Sequence, residues 1–172
     1  NPYDTTTAVA DRIGAQPHYM LVPAIAESPE TKDMLMREGS VRDVVGWWDR
    51  VDIAMVSIGV LSPRTGFFYS FAHPEPEVVR TKELGGVGDL LAQPFDTQGK
   101  IVEADYVNRT ITADFERLRR IPLVVGIAGG ERKAASIGGA LRTGCLDVLI
   151  TDETAARRVA ESARKENGDT VS

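Results

Sequence analysis

The last third of the chain constrains the fold most strongly, because apolar segments alternate there with segments of helical spacing. Almost uninterrupted apolar runs predict strands over Leu123–Ala128 and Val148–Thr151. Each run is followed by a segment whose apolar residues recur at helical spacing, Glu131–Arg142 and Asp152–Ala163. Strands and helices that alternate in this way are typical of a parallel sheet with right-handed crossovers. The sequence therefore predicts an α/β fold.

The upstream half extends this pattern. The near-continuous apolar run Asp52–Gly59 predicts a strand that is covered on both faces, and His18–Val22 predicts a shorter strand. Capping residues, stop signals and apolar spacing predict helices from Thr5 to Ile13, from Pro29 to Gly39, from Val41 to Trp48 and from Pro74 to Glu83. We therefore predict a mostly parallel, Rossmann-like sheet with helices on both faces.

The middle of the chain is less regular and predicts a small irregular or antiparallel insertion. The aromatic-rich segment Leu61–Ala72 is predicted to be a loop that packs on itself. Two strands, Leu90–Phe95 and Lys100–Glu103, are predicted on either side of the turn Asp96–Gly99, and Pro94 makes the first an edge strand or a bulge. A short helix is predicted over Thr112–Leu118.

Length and composition exclude several classes of protein. The 172 residues fit one domain, predicted over residues 1–164 and followed by a flexible tail at 165–172. A net charge of −5 argues against direct DNA binding by this chain, since a phosphate backbone requires a basic surface. The single cysteine excludes an internal disulfide and a cysteine-rich zinc site. No apolar run has the length of a membrane span and no signal peptide is evident, so we predict a cytoplasmic protein.

The strongest candidate site follows the strand that ends at Ala128. Gly129 and Gly130 allow a ligand to approach the backbone closely, and the next helix offers free N–H groups to an anion. Lys133 adds a mobile positive charge, so the segment is suited to a phosphate. The alternative, which the local pattern favours equally, is a flexible glycine-containing turn beside a solvent-exposed lysine that binds no ligand. No metal site and no cofactor are predicted.

Other candidates follow from the rule that ligands bind at the carboxyl ends of parallel strands. Gly59 follows Ile58 at one such end. Gly88 and Asp89 lie in a glycine-rich segment whose carboxylate is suited to accept hydrogen bonds from sugar hydroxyls, although a turn-capping aspartate is as common. Asp152 follows the last strand, and for it the capping of the final helix is favoured over ligand contact.

Taken in order, these motifs resemble the sugar-binding effector domain of SorC-type bacterial transcriptional regulators, over nearly the whole chain. The resemblance is carried by GVGD at 86–89, FDTQG at 95–99, IPLVVGIAGGERKA at 121–134, ALRTG at 140–144 and LITDETAA at 149–156. It implies a fold like that of glucosamine-6-phosphate deaminase and ribose-5-phosphate isomerase, retained for binding without catalysis. It also implies an effector that is a phosphorylated sugar or a related metabolite, with Lys133 on the phosphate and Asp89 on the sugar.

The resemblance further implies that DNA is bound only through an N-terminal helix-turn-helix domain that these residues do not include. The family's first strand, with its own glycine-rich phosphate loop, is expected before Asn1. Ile25 stands where some relatives carry an arginine for a second phosphate, so a monophosphate is favoured. Two alternatives stay open: a sugar-phosphate isomerase or deaminase that uses Asp89 as its base, and an oligomerisation domain. The aromatic surface Phe67–Tyr69 is expected to form a homodimer or homotetramer in addition to effector sensing.

Overall fold

The computed structural model describes residues 2–64, 68, 74–166 and 168. Its seven helices in this part of the chain are α1 (Pro2–Ile13), α2 (Pro29–Arg37), α3 (Gly39–Trp48), α4 (Pro74–Glu83), α5 (Phe115–Leu118), α6 (Ala134–Arg142) and α7 (Glu153–Glu166). The strands are β1 (Ile53–Val60), β2 (Gly88–Leu90), β3 (Gln93–Phe95), β4 (Leu123–Ile127) and β5 (Val148–Ile150). Single 3₁₀ turns lie at Val107–Arg109 and Glu131–Lys133.

The five strands form one mixed sheet in the order β3-β2-β1-β4-β5. Strands β1, β4 and β5 are parallel, whereas β2 and β3 form an antiparallel extension beside β1. The predicted α/β class, the mostly parallel sheet and the antiparallel insertion are thus confirmed. Helix α6 packs on one face of the sheet, where Ile58, Val124, Ile137 and Ala140 share the main apolar core.

The prediction of helices on both faces is not met within the described residues. Along β1, Val56 and Ile58 are buried on the α6 side, whereas Ile53 and Met55 on the opposite side are exposed. The apolar run of β1 correctly indicates a strand with two apolar faces, but only one of them is packed in this part of the chain.

The predicted strand His18–Val22 is wrong. This segment has no regular structure, and the nearby strand-like contact is a single bridge between Ile25 and Thr110. Leu21 is 78% exposed. A short apolar run becomes a strand only if a neighbouring strand supplies hydrogen bonds, and none of the described strands pairs with this one.

The predicted strand Leu90–Phe95 is two strands joined by a tight hairpin. Leu91 and Ala92 have φ angles of 51° and 64°, which gives the left-handed turn that matches the twist of a two-residue hairpin. This hairpin turn was not predicted, because turns of this type usually contain Gly, Asn or Asp. Pro94 lies in β3 at the edge of the sheet, as predicted.

Three further boundaries differ from those predicted. Lys100–Glu103 is not a strand, since only Ile101 forms a bridge, to Phe95. The short helix α5 begins at Phe115 because Asp114, whose Oδ1 accepts a hydrogen bond from the Arg117 N–H at 2.7 Å, caps it. Helix α7 continues past its predicted end at Ala163 to Glu166, and so past the predicted domain boundary at residue 164.

The aromatic-rich segment lies largely outside the described residues, including Phe67 and Tyr69. Phe68 is fully buried, and its ring meets the ring of Tyr106 edge-on with centroids 5.6 Å apart. The two rings belong to a second, smaller apolar cluster beside the sheet. Among the described helices, none combines the length and the apolar character that crossing a membrane requires.

Candidate functional site

All the predicted site residues lie at one end of the sheet, next to the carboxyl ends of the three parallel strands. Gly59 belongs to the last part of β1, Gly129 and Gly130 follow β4, and Asp152 follows β5. Because β2 runs antiparallel to β1, its first residues lie beside the carboxyl end of β1, and Asp89 pairs directly with Gly59. Segments spread between residues 59 and 152 of the sequence are thereby brought together.

The Asp89 carboxylate is buried at this end of the sheet, and 6% of the residue is exposed. Its Oδ2 accepts a hydrogen bond from the Ala92 N–H at 3.2 Å, across the left-handed hairpin turn. Its Oδ1 lies only 1.9 Å from the position that a Cβ atom on Gly59 would take. Gly59 therefore serves the site by leaving room for this carboxylate.

Burial raises the pKa of Asp89 to about 6, because the charged carboxylate loses its hydration. The hydrogen bond from Ala92 and the positive charge of Lys133 act in the opposite direction. At pH 7 the group is mostly ionised and can accept hydrogen bonds from hydroxyl groups.

Lys133 joins the loop after β4 to the end of β1. Its Nζ donates a hydrogen bond to the Ile58 carbonyl oxygen at 2.8 Å. We predicted Lys133 in the first turn of a helix, but Glu131–Lys133 forms a 3₁₀ turn and α6 begins at Ala134. Gly130, with a φ of 94°, allows the chain to leave β4 and enter this tight turn.

Asp152 has both oxygens engaged by backbone groups. Oδ1 accepts a hydrogen bond from the Ala155 N–H at 2.9 Å and so caps α7, and Oδ2 accepts one from the Gly130 N–H. These bonds lower the pKa of Asp152. A Cβ atom on Gly129 would lie 2.6 Å from Oδ2. The predicted helix capping by Asp152 is therefore confirmed, and Asp152 also holds the Gly129–Gly130 turn in place; its contact with a ligand stays a prediction.

Ser136 is a component that the sequence did not reveal. The residue is 1% exposed, and its Oγ donates a hydrogen bond to the Val87 carbonyl oxygen at 2.7 Å. A Cβ atom on Gly88 would lie 2.6 Å from the Cβ of Ser136, so Gly88 allows α6 to approach the hairpin closely. The available signal was the spacing, since Ser136 is three residues after Lys133 and would share its side of the predicted helix Glu131–Arg142.

Tyr106 also interacts electrostatically with Asp89. Burial raises the pKa of Tyr106, the Asp89 carboxylate raises it further, and a hydrogen bond with Thr81 acts against both. Both Tyr106 and Thr81 are fully buried. No local sequence signal connects Tyr106 with Asp89, because they lie on different segments of the chain.

On the outer side of the loop, Glu131 forms an ion pair with Arg158 of α7, whose Nε lies 2.7 Å from Oε1. In the described part of the chain no three His, Cys, Asp or Glu residues are grouped so as to hold a metal ion. Cys145 is 3% exposed and packs in the main core.

Comparisons with known proteins agree on one kind of domain. The model of the family described as "Putative sugar-binding domain" matches residues 1–161. The erythritol catabolism regulatory protein EryD of Brucella abortus is 31% identical over 157 residues, which are 91% of this chain and 49% of that protein. The chain thus spans about half the length of the curated relatives that it matches.

Two solved structures are similar throughout most of the chain. The full-length sorbitol operon regulator SorC from Klebsiella pneumoniae has a TM-score of 0.81 at 27% identity, over 89% of this chain and 50% of that one. A sugar-binding domain of a transcriptional repressor from Vibrio fischeri has a TM-score of 0.81 at 28% identity, over 92% of this chain and 63% of that one.

Proposed function

Because this chain belongs to the sugar-binding domain family of SorC-type transcriptional regulators, we propose that it binds a phosphorylated sugar or sugar-derived metabolite as the regulator's effector. One observation carries the proposal: the sheet brings a buried carboxylate, Asp89, and a lysine ammonium, Lys133, to the same end of β1. The carboxylate is suited to accept hydrogen bonds from hydroxyl groups, and the ammonium is suited to pair with a phosphate.

The geometry gives each group a distinct part in binding. Lys133 uses one of its three donors on Ile58, so it can keep that bond while it donates to a phosphate oxygen. Asp89 is held in place by the Ala92 N–H before any ligand arrives, which lowers the entropic cost of ordering it. Asp152 and Ser136 act indirectly, because they hold the Gly129–Gly130 turn and the Gly88–Asp89 hairpin.

The preferred ligand is a monophosphate with several hydroxyl groups. Ile25 supplies no charge for a second phosphate. The relatives described above are named for erythritol catabolism and for the sorbitol operon, and for this chain we infer a ligand of the same broad class.

DNA binding is assigned to a helix-turn-helix domain outside these residues, since the chain itself carries a net charge of −5. A homodimer or homotetramer is the proposed assembly.

The second candidate is an enzyme, a sugar-phosphate isomerase or deaminase of the fold that the sequence resemblance implies. The raised pKa of Asp89 favours it, because a general base works best with a pKa near the working pH. The relatives are transcriptional regulators, which supports a binding role instead. We expect no turnover when sugar phosphates are incubated with the protein and followed by NMR.

The proposal is tested by calorimetry of the complete regulator against a panel of pentose, hexose and polyol monophosphates, each beside its unphosphorylated form. At least one phosphate is expected to bind, and to bind more tightly than its unphosphorylated partner. A panel without any binding member, or one in which phosphate makes no difference, would contradict the proposal.

A further inference from the structure

The loop that carries Lys133 also carries a negative charge. Glu131 is the first residue of the same 3₁₀ turn, two residues before Lys133. Charges act on one another across about 10 Å at moderate ionic strength, so an unpaired carboxylate in this turn would oppose the binding of a phosphate. A phosphate site built from this segment therefore requires that the charge of Glu131 is neutralised.

Arg158 of α7 pairs with this carboxylate. Its Nε donates a hydrogen bond to Glu131 Oε1 at 2.7 Å, and its Nη2 donates to the same oxygen. On the other side of the guanidinium, Nη1 lies 3.7 Å from Oε2 of Glu161, which is also on α7. The arginine is thus held between two carboxylates, and such a network keeps its geometry better than a single exposed ion pair.

The two charged groups of the turn are bound by different elements. The Lys133 ammonium binds the Ile58 carbonyl oxygen near the end of β1, whereas the Glu131 carboxylate binds α7. Gly130, directly before the turn, is bound to the cap of α7, because its N–H donates to Asp152 Oδ2. The turn therefore presents its lysine to the end of β1 and its glutamate to α7.

We propose that Arg158 is a positioning residue for the phosphate of the effector. It holds Glu131 against α7 and neutralises its charge, so that Lys133 dominates the electrostatic field that a phosphate meets in the loop. Arg158 acts through Glu131 and does not need to touch the effector. The inference rests on the proposed function, since it concerns the phosphate end of the same site.

An ordinary surface ion pair is the alternative. Helix α7 contains one, between Arg157 and Glu153, whose Nη2 and Oε1 lie 2.6 Å apart. Both of its residues belong to the same helix, so this pair cannot hold the loop. Arg158 and Glu131 are 27 residues apart in the sequence, and both side chains are 55% exposed, so the loss of their pair should cost the fold little. An effect on phosphate binding therefore separates the two roles.

Calorimetry of the complete regulator tests the proposal. The ligands are inorganic phosphate and the sugar monophosphate that binds most tightly in the panel, beside its unphosphorylated form. The variants are Arg158→Met, the matched control Arg157→Met, Glu131→Gln, and the double variant Arg158→Met with Glu131→Gln. Methionine keeps an unbranched side chain that favours helix, and urea unfolding checks that each variant is folded.

We expect Arg158→Met to weaken the binding of both phosphates by about three- to tenfold at low salt, the size of one added negative charge near a phosphate, and to leave binding of the unphosphorylated sugar unchanged. Arg157→Met should change the phosphate affinity by less than about twofold. The double variant should recover the affinity, because the charge that Arg158 neutralises is then absent. Glu131→Gln alone should bind phosphate at least as tightly as wild type.

The proposal is overturned by an unchanged phosphate affinity in Arg158→Met, by an equal loss in Arg157→Met, or by a loss that persists in the double variant. Weaker phosphate binding by Glu131→Gln would contradict it as well, and this variant does not depend on the folding of Arg158→Met. Each of these results leaves the proposed function intact if the wild-type regulator binds sugar phosphates. A wild-type regulator that binds neither phosphate would contradict the proposed function and this inference together.

Discussion

Gly59→Ala tests how the site is assembled, because the structure leaves no space for a side chain at this position. The new Cβ would lie 1.9 Å from Asp89 Oδ1 and 2.6 Å from its Cγ, so the buried carboxylate must move. Movement breaks the hydrogen bond from Ala92 and forces the hairpin out of its packed position. A lost hydrogen bond to a buried charge and an overpacked contact together cost about 2–5 kcal/mol of unfolding free energy.

The assay is urea unfolding at pH 7, followed by the fluorescence of Trp47 and Trp48. Gly138→Ala is the matched control. Gly138 lies within α6, and its nearest neighbour for a Cβ is Arg142 Nη1 at 3.6 Å, so this change should be neutral or stabilising by up to about 1 kcal/mol. Adding Asp89→Ala to Gly59→Ala removes the contact and should recover part of the loss. A Gly59→Ala protein as stable as wild type, or no coupling between the two positions, would refute this account of the pair.

Three further predictions concern single groups of the site. Burial raises the pKa of Asp89 from 3.8 to about 6, so ionisation of this carboxyl destabilises the fold as pH rises from about 4 to 6. In urea titrations, Asp89→Asn should therefore gain stability relative to wild type across this range, by up to about 3 kcal/mol. A difference that does not change with pH would contradict this prediction. Ser136→Ala leaves the Val87 carbonyl without its hydroxyl donor and should cost about 1–3 kcal/mol in urea unfolding, whereas the exposed Ser162→Ala should cost little; equal effects would show that the bond is unimportant. Asp152→Ala removes the cap of α7 and should lower the melting temperature by about 2–4 °C in thermal scans, and an unchanged melting temperature would count against that role.

The sequence predicted the parts of the fold that depend on local patterns. Apolar runs identified β1, β4 and β5, and helical spacing identified the helices around them, because these signals are repeated along several residues. The glycine pair before Lys133 and the glycine before Asp89 pointed to both halves of the proposed site for a different reason. A close approach of backbone to side chain requires glycine, and glycine is visible in a sequence.

Other features depend on contacts between distant residues and left no local signal. The left-handed turn at Leu91 and Ala92 is stabilised by the Asp89 carboxylate, in spite of residues that disfavour it. Tyr106 belongs to the second apolar cluster and interacts electrostatically with Asp89, which lies outside that cluster. The strand predicted at His18–Val22 failed because a strand depends on its neighbour, which a single segment does not reveal.

The central claim is that Lys133 binds the phosphate of the effector beside Asp89. The most direct measurement is calorimetry of wild-type and Lys133→Ala regulator with a sugar monophosphate that binds and with its unphosphorylated form. Lys100→Ala, at the exposed residue directly after the turn at 96–99, is the matched control for loss of a lysine. We predict that Lys133→Ala weakens binding of the phosphate by about 1.5–3 kcal/mol, roughly ten- to 150-fold, and leaves the affinity for the unphosphorylated sugar almost unchanged. An unchanged affinity for the phosphate, or an equal loss for both ligands, would contradict the claim.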